Sequence, residues 1–173
     1  MRLRLWIVPL VLLAFAGCGR RHVREYHPLK PERRAAVESS VRSFVLGVAH
    51  DVTTQGPEAW QQLLANDPAF FMAVDGRMVF PNRQAATQGI HDFSHTIKHI
   101  ELHWGGDRGD DLRIDALTPS LAVVAASYSE VQAFTDGHQV TENGFFTGVA
   151  EYRNGRWQFR DAHWSSVPPP KIP

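Results

Sequence analysis

Asp161 and His163 stand two residues apart in an apolar-rich stretch near the end of the chain, Arg156 to Ser166. A carboxylate beside an imidazole fixes its tautomer and raises its basicity, which is what a general base requires. The stretch reads as a β-strand, where side chains alternate with period two, so Trp157, Phe159, Asp161, His163 and Ser165 share one face. Two aromatic residues on that face predict that it looks into the core. Asp161 and His163 then follow inward as a catalytic acid/base pair, a polar clamp for a ligand, or a pair bonded to loop backbone. Trp164 falls on the opposite, outer face.

Three further sets carry groups capable of chemistry. The stretch Leu121 to Phe134 has one face with Val124, Ala126, Tyr128, Glu130 and Gln132, and another with Val123, Ala125, Ser127, Ser129 and Val131. The period does not choose between them, but Tyr128 and Glu130 suit a pocket mouth. His91, His95 and His99 are spaced i, i+4, i+8, and imidazoles one helical turn apart can share a metal ion. At about 100° per residue they centre opposite Ala86, Ile90, Phe93 and Ile97. They therefore belong to the outer face of a helix, and no metal site is expected. His50 falls off the apolar face of its own helix and reads as exposed. Trp60, Phe70, Phe80, Trp104, Phe145 and Phe146 are aromatic residues suited to a core or an apolar cavity. The pocket is expected to draw on Trp60, Phe70, Trp104, Tyr128, Glu130 and Phe145.

These groups need a scaffold. Pro31 and Glu32 open a helix, with Val37, Val41, Phe44, Val45, Val48 and Val52 at helical spacing up to about Gly56. A short second helix spans Pro57 to Leu64. Phe70 to Phe80 reads as a hairpin around Asp75-Gly76, a type I′ pair. Asn82 caps a third helix reaching about His99. Strands follow at Ile100 to Trp104, Leu112 to Leu117, Leu121 to Phe134, Gln139 to Arg153 and Arg156 to Ser166, with tight turns at Asp136-Gly137 and Asn154-Gly155. Helices followed by a run of strands indicate an α+β fold.

The first residues read as an address. Arg2 and Arg4 precede an apolar run of 11 residues, Leu5 to Phe15, and then Ala16, Gly17 and Cys18. The run is too short for a membrane span of about 20 residues and has the form of a signal peptide. Phe15 to Cys18 resembles the lipobox of bacterial lipoproteins, with Phe15 in place of the usual Leu. The resemblance implies cleavage of residues 1–17 and lipidation of Cys18, the only cysteine in the chain. Two acyl chains anchor a protein stably. By the same resemblance Gly19 does not favour retention at an inner membrane. The expected location is the cell envelope, on the periplasmic side of the outer membrane in a Gram-negative cell. Residues 18–31 read as a basic tether, 32–167 as one domain and 168–173 as a Pro-rich tail. Cleavage of 17 of the 173 residues leaves 156, with 16 basic and 18 acidic side chains. That near-neutral balance argues against a nucleic-acid partner.

The order helix, helix, hairpin, helix and long strands resembles the SnoaL-like group of the nuclear-transport-factor-2-like, or ketosteroid-isomerase-like, superfamily. Asp75-Gly76-Arg77, the stretch Gly144 to Val149, and the stretch Asn154 to Ser165 with its closing His163-x-Ser165 carry the likeness. It implies a cone in which three helices pack on a curved mixed or antiparallel sheet, with a pocket at one end. It also implies dimerisation through the outer sheet face, where Trp164 would contribute. A ketosteroid isomerase needs a carboxylate base and an oxyanion hole of Tyr and protonated Asp. Helix one has no Tyr, which lowers that reading. The favoured expectation is a non-catalytic domain binding a small apolar molecule or a partner protein, without cofactor. The alternatives are an isomerase, dehydratase or hydratase using Asp161 and His163, and a dimeric assembly module without ligand.

Overall fold

A computed structural model describes residues 28–105 and 111–167. The proposed signal peptide, Cys18 and the proline-rich tail lie outside the described residues, as does the tether up to residue 27. No described helix is long and apolar enough to cross a membrane.

Helix α1 (Pro31–Gln55) places Pro31 in its first turn and ends at Gly56, whose φ of 77° suits glycine. Its buried face is a valine stripe, Val37, Val41, Val45, Val48 and Val52, and β-branched stiffness costs it little once that face is packed. A 3-10 turn (Pro57–Ala59) and the single-turn α2 (Trp60–Leu63) follow. Strands β1 (Phe71–Val74) and β2 (Arg77–Phe80) form the expected hairpin, with Asp75 and Gly76 both at positive φ. Asn82 caps α3 (Arg83–Thr96), its side chain accepting from Ala85 N at 2.9 Å.

The sheet contains β3 (Ile97–Trp104), β4 (Arg113–Thr118), β5 (Leu121–Phe134), β6 (Gln139–Arg153) and β7 (Arg156–Ser166) beside the hairpin. Its order is β2-β1-β7-β6-β5-β3, and β4 pairs with the other half of the same edge of β5. All pairings are antiparallel except β1 on β7, which is parallel. This is the expected α+β architecture, with a mixed sheet curved around α1. Trp157 Nε1 donates to Ser40 Oγ at 2.9 Å, and Thr53 Oγ1 accepts from Leu102 N at 3.1 Å, fastening α1 at two levels.

Two irregularities decide which side chains face inward. In β7, Phe159 pairs with Ala150 and Asp161 with Val149, so Arg160 is one residue in excess. Such a bulge reverses the alternation beyond it. Trp157 and Phe159 face in before it; Ala162 and Trp164 face in after it. The bulge falls where β7 changes neighbours, from Leu64 beside Phe159 to β1 beside Asp161. The expectation for this strand is therefore corrected beyond residue 159. Asp161, His163 and Ser165 lie on the outer face, and Trp164 is core.

The second irregularity separates Ile97 from His99 in β3. It lets Ile97 and Ile100 both face inward at a three-residue interval, which mimics helical spacing. Helix α3 thus stops at Thr96, three residues before the expected end. His99 belongs to a strand, so the three-histidine stripe does not form. His91 and His95 remain together, with ring centroids 4.5 Å apart.

Candidate functional site

The inward face of β5 is Val124, Ala126 and Tyr128, all buried, continuing to Glu130 and Gln132. This settles the choice that alternation left open. These residues meet Trp60 and Leu64, Met72 and Val74 of β1, Phe80 of β2, Ile90 and Phe93 of α3, Ile97 and Ile100 of β3, Glu142 of β6, and Ala162 and Trp164 of β7. With Pro57, and with Tyr128, Glu130 and Gln132 as the part of β5 that reaches it, these side chains line a cavity of about 310 Å³. Phe93, 45 % exposed, stands at its mouth. The volume is at the lower end of small-molecule pockets, and an apolar lining with a few polar groups is the usual composition of such sites.

Of the expected pocket residues, Trp60, Tyr128 and Glu130 line the cavity. Phe70 is fully buried in the core and is not part of the lining. Trp104 is packed behind the cavity wall, stacked on Trp164 at 5.5 Å. Phe145 is corrected: it is 46 % exposed on the outer face, because Phe146 takes the inward phase with Gly148 and Ala150. Asp161 is half-buried and His163 exposed, both outside the cone. Burial pushes the Asp161 carboxyl up, against a hydrogen bond from Val149 backbone and the charge of Arg160. His50 is exposed on α1, as expected.

The cavity's polar groups form one cluster. Glu130 and Glu142 are direct cross-strand partners. Glu142 Oε1 accepts from the Tyr128 hydroxyl at 2.9 Å and from Ser166 Oγ at 2.6 Å. Ser166 Oγ also lies 2.8 Å from Asp75 Oδ2, while Asp75 Oδ1 accepts Ser166 N at 2.7 Å. One hydroxyl carries one proton, so Ser166 donates to one carboxylate at a time. The Ser166 backbone N–H, then its hydroxyl, hold the Asp75 carboxyl below its usual range. Burial, then the hydrogen bond to Glu142, pushes the Tyr128 hydroxyl far up and keeps it a donor.

Glu130 differs from Glu142 in its partners. Its Oε1 accepts from Gln132 Nε2, and Oε2 has no hydrogen-bond partner among the described residues. Burial raises its carboxyl above the ordinary value, the Gln132 hydrogen bond opposes the rise, and the facing Glu142 charge adds to it. Among the described residues, the titratable groups lining the cavity are these two carboxyls and Tyr128, with no Lys, Arg or His. Glu142 escaped the sequence reading. Its signal was faint: it shares a face with Gly144, Phe146, Gly148 and Ala150, and only knowledge that Phe146 points inward would have drawn it in.

No family model matches the sequence, and no curated protein matches it significantly. Solved structures do match. A protein from Novosphingobium aromaticivorans named as a scytalone dehydratase is 11 % identical, with 80 % of this chain and 89 % of that one covered and a TM-score of 0.66. A nuclear-transport-factor-2-like superfamily protein from Salmonella enterica serovar Typhimurium is 15 % identical, with 80 % and 96 % covered and a TM-score of 0.63. A hexachlorocyclohexane dehydrochlorinase is 10 % identical, with 83 % and 100 % covered and a TM-score of 0.61. At such identities the likeness extends to the fold, and a fold of this kind hosts unrelated functions. This chain has the nuclear-transport-factor-2-like cone fold.

Proposed function

We propose that the protein is an envelope lipoprotein, anchored through Cys18, whose domain binds a small and largely apolar molecule in the cone. The cavity of about 310 Å³, lined mainly by aromatic and aliphatic side chains with Glu130, Gln132 and Glu142 at one side, carries the binding half of this reading. The address rests on the sequence from Arg2 to Cys18. Native mass spectrometry of the full chain, extracted in detergent from the membrane that holds it, tests both halves. The expected result is a diacylated chain beginning at Cys18 with a co-purifying small molecule that Ala162→Leu, which projects a branched side chain into the cavity, displaces. A ligand that survives Ala162→Leu, or a chain without lipid, overturns the corresponding half.

A second reading is cofactor-independent proton transfer. One observation supports it: the Glu130 carboxyl lines an otherwise mostly apolar cavity, where burial pushes it up, the surroundings in which acid/base groups are placed. Names such as dehydratase and dehydrochlorinase among the neighbours keep a reaction in view. In that reading Glu130 replaces Asp161 and His163 as the acting group. Turnover of a bound substrate that Glu130→Gln abolishes, while binding persists, would select it.

The outer sheet face suits a second copy of the chain. Phe145, Phe71 and Val123 are large exposed apolar side chains there, and Trp164 is replaced by them in that role. Sedimentation of the soluble domain, with Phe145→Asp as the disrupting variant, tests this.

A further inference from the structure

We infer that the cavity selects a cationic amine: a molecule with an apolar, ring-sized body and one protonated nitrogen. This rests on the binding reading above and names its ligand class.

The first ground is charge. Among the described residues the cavity lining holds two carboxyl groups and no basic side chain. A carboxylate ligand would place a third acid beside Glu130 and Glu142 without a counter-charge, which is strongly unfavourable in an apolar surround. A neutral ligand would leave the facing carboxyls unrelieved. An ammonium group placed between them relieves their mutual repulsion and gains hydrogen bonds to ionised oxygens, which are stronger than neutral ones.

The second ground is an open acceptor. Glu142 is already engaged by Tyr128 and Ser166. Those two bonds share its Oε1, and Glu130 likewise engages Gln132 through Oε1 only. Both carboxylates thus take their hydrogen bonds through Oε1, and the Oε2 of each is left as an acceptor facing a donor from the ligand.

The third ground is the rest of the lining. Trp60 and Trp164 meet edge to face, with centroids 5.9 Å apart, and the Tyr128 ring meets Trp164 at 4.7 Å. Aromatic rings attract a cation electrostatically and also accept apolar surface. Ile90, Ile97 and Ile100 supply the aliphatic wall for the body of the molecule.

The experiment uses three probes of matched shape: 1-naphthylmethylamine, 1-naphthylmethanol and 1-naphthoate. Binding to the full chain in detergent is measured by calorimetry at pH 7, and by tryptophan fluorescence. The amine is expected to bind about tenfold or more tighter than the alcohol, the scale of one charge-assisted hydrogen bond. The acid is expected to bind weakest. Glu130→Gln should bring amine and alcohol to similar affinity while sparing the alcohol, which shows that the cavity is intact. Equal binding of amine and alcohol to the native chain overturns the amine inference and leaves the small-molecule reading standing. An amine preference unchanged by both Glu130→Gln and Glu142→Gln overturns it as well. Failure of all three probes to bind overturns both.

Discussion

Trp164 of β7 stacks on Trp104 of β3, with ring centroids 5.5 Å apart and planes 25° from parallel. The two strands stand at different places in the sheet, with β6 and β5 between them. Their side chains meet only because the sheet is curved and the Arg160 bulge turns Trp164 inward. Phe146 and Tyr128 close on the same indole, at 4.8 and 4.7 Å.

Trp164 is 9 % exposed. Trp164→Ala should therefore cost about 3–5 kcal/mol, the range for emptying a large aromatic site in a core. Phe145→Ala, on the outer face, should cost less than about 1 kcal/mol in the monomer, as surface changes do. Urea denaturation of the soluble domain compares them. Similar losses from both would contradict the inward phase of Trp164.

Asp161→Asn with His163→Gln should leave ligand binding unchanged, because both side chains lie outside the cone. The comparison is the dissociation constant of the native chain for the same probe. A change of more than about threefold, some 0.6 kcal/mol, would return the pair to the site.

Glu130 should make the empty domain less stable as pH rises. Its folded carboxyl is held above the unfolded value of 4.5, chiefly by burial. Between the two values the folded state binds more protons than the unfolded chain, so stability falls with rising pH through that window. Above it the ionised, buried carboxylate is a net cost. Glu130→Gln should accordingly raise the melting temperature at pH 7 and flatten its pH dependence. Asp161 is shifted in the same direction, so the flattening should be partial. Melting curves from pH 4 to 8, which run upward from the ordinary carboxyl range, provide the check; a lower melting temperature at pH 7 would contradict the expectation.

Gly144 has no room for a side chain. A Cβ there would lie 2.0 Å from the Ser165 carbonyl oxygen and 2.7 Å from the Tyr128 ring. Gly144→Ala should destabilise the domain by about 1–3 kcal/mol through overpacking and displace Tyr128 from Glu142. Near-ultraviolet dichroism and chemical denaturation report the two effects. A neutral result would mean that β6 and β7 can separate locally at little cost.

Asn82→Ala should cost about 1 kcal/mol, since its side chain satisfies Ala85 N at the start of α3. Asn82→Ser should recover most of that loss. Thermal denaturation distinguishes capping from any other role, because a serine retains the cap and little else of asparagine.

Much of the scaffold was legible in the amino-acid order because it rests on short-range physics. The valine stripe of α1, the Asp75-Gly76 and Asn154-Gly155 turns, the Asn82 cap and the three long strands each follow from local spacing or backbone preference. The α+β architecture follows from their order. The site was only partly legible. Trp60, Tyr128 and Glu130 could be named as pocket residues from their types, but Glu142 could not. The inward direction of residues 161–165 was read with the wrong phase.

Local spacing thus determined most of the elements, and tertiary structure decided where α3 gives way to β3 and which way the end of β7 faces. A bulge adds one residue without altering the composition of a strand, so hydrophobic alternation before it says nothing about the phase after it. Arg160 is extra because β7 must satisfy Leu64 on one stretch and β1 on the next. Ile97 and Ile100 fit a helix and a bulged strand equally well, and pairing with β5 selects the strand. The same pairing across β5 and β6 sets Glu130 opposite Glu142, twelve positions along the chain. Their shared charge, and the cavity beside it, exist only once the sheet has curved around α1.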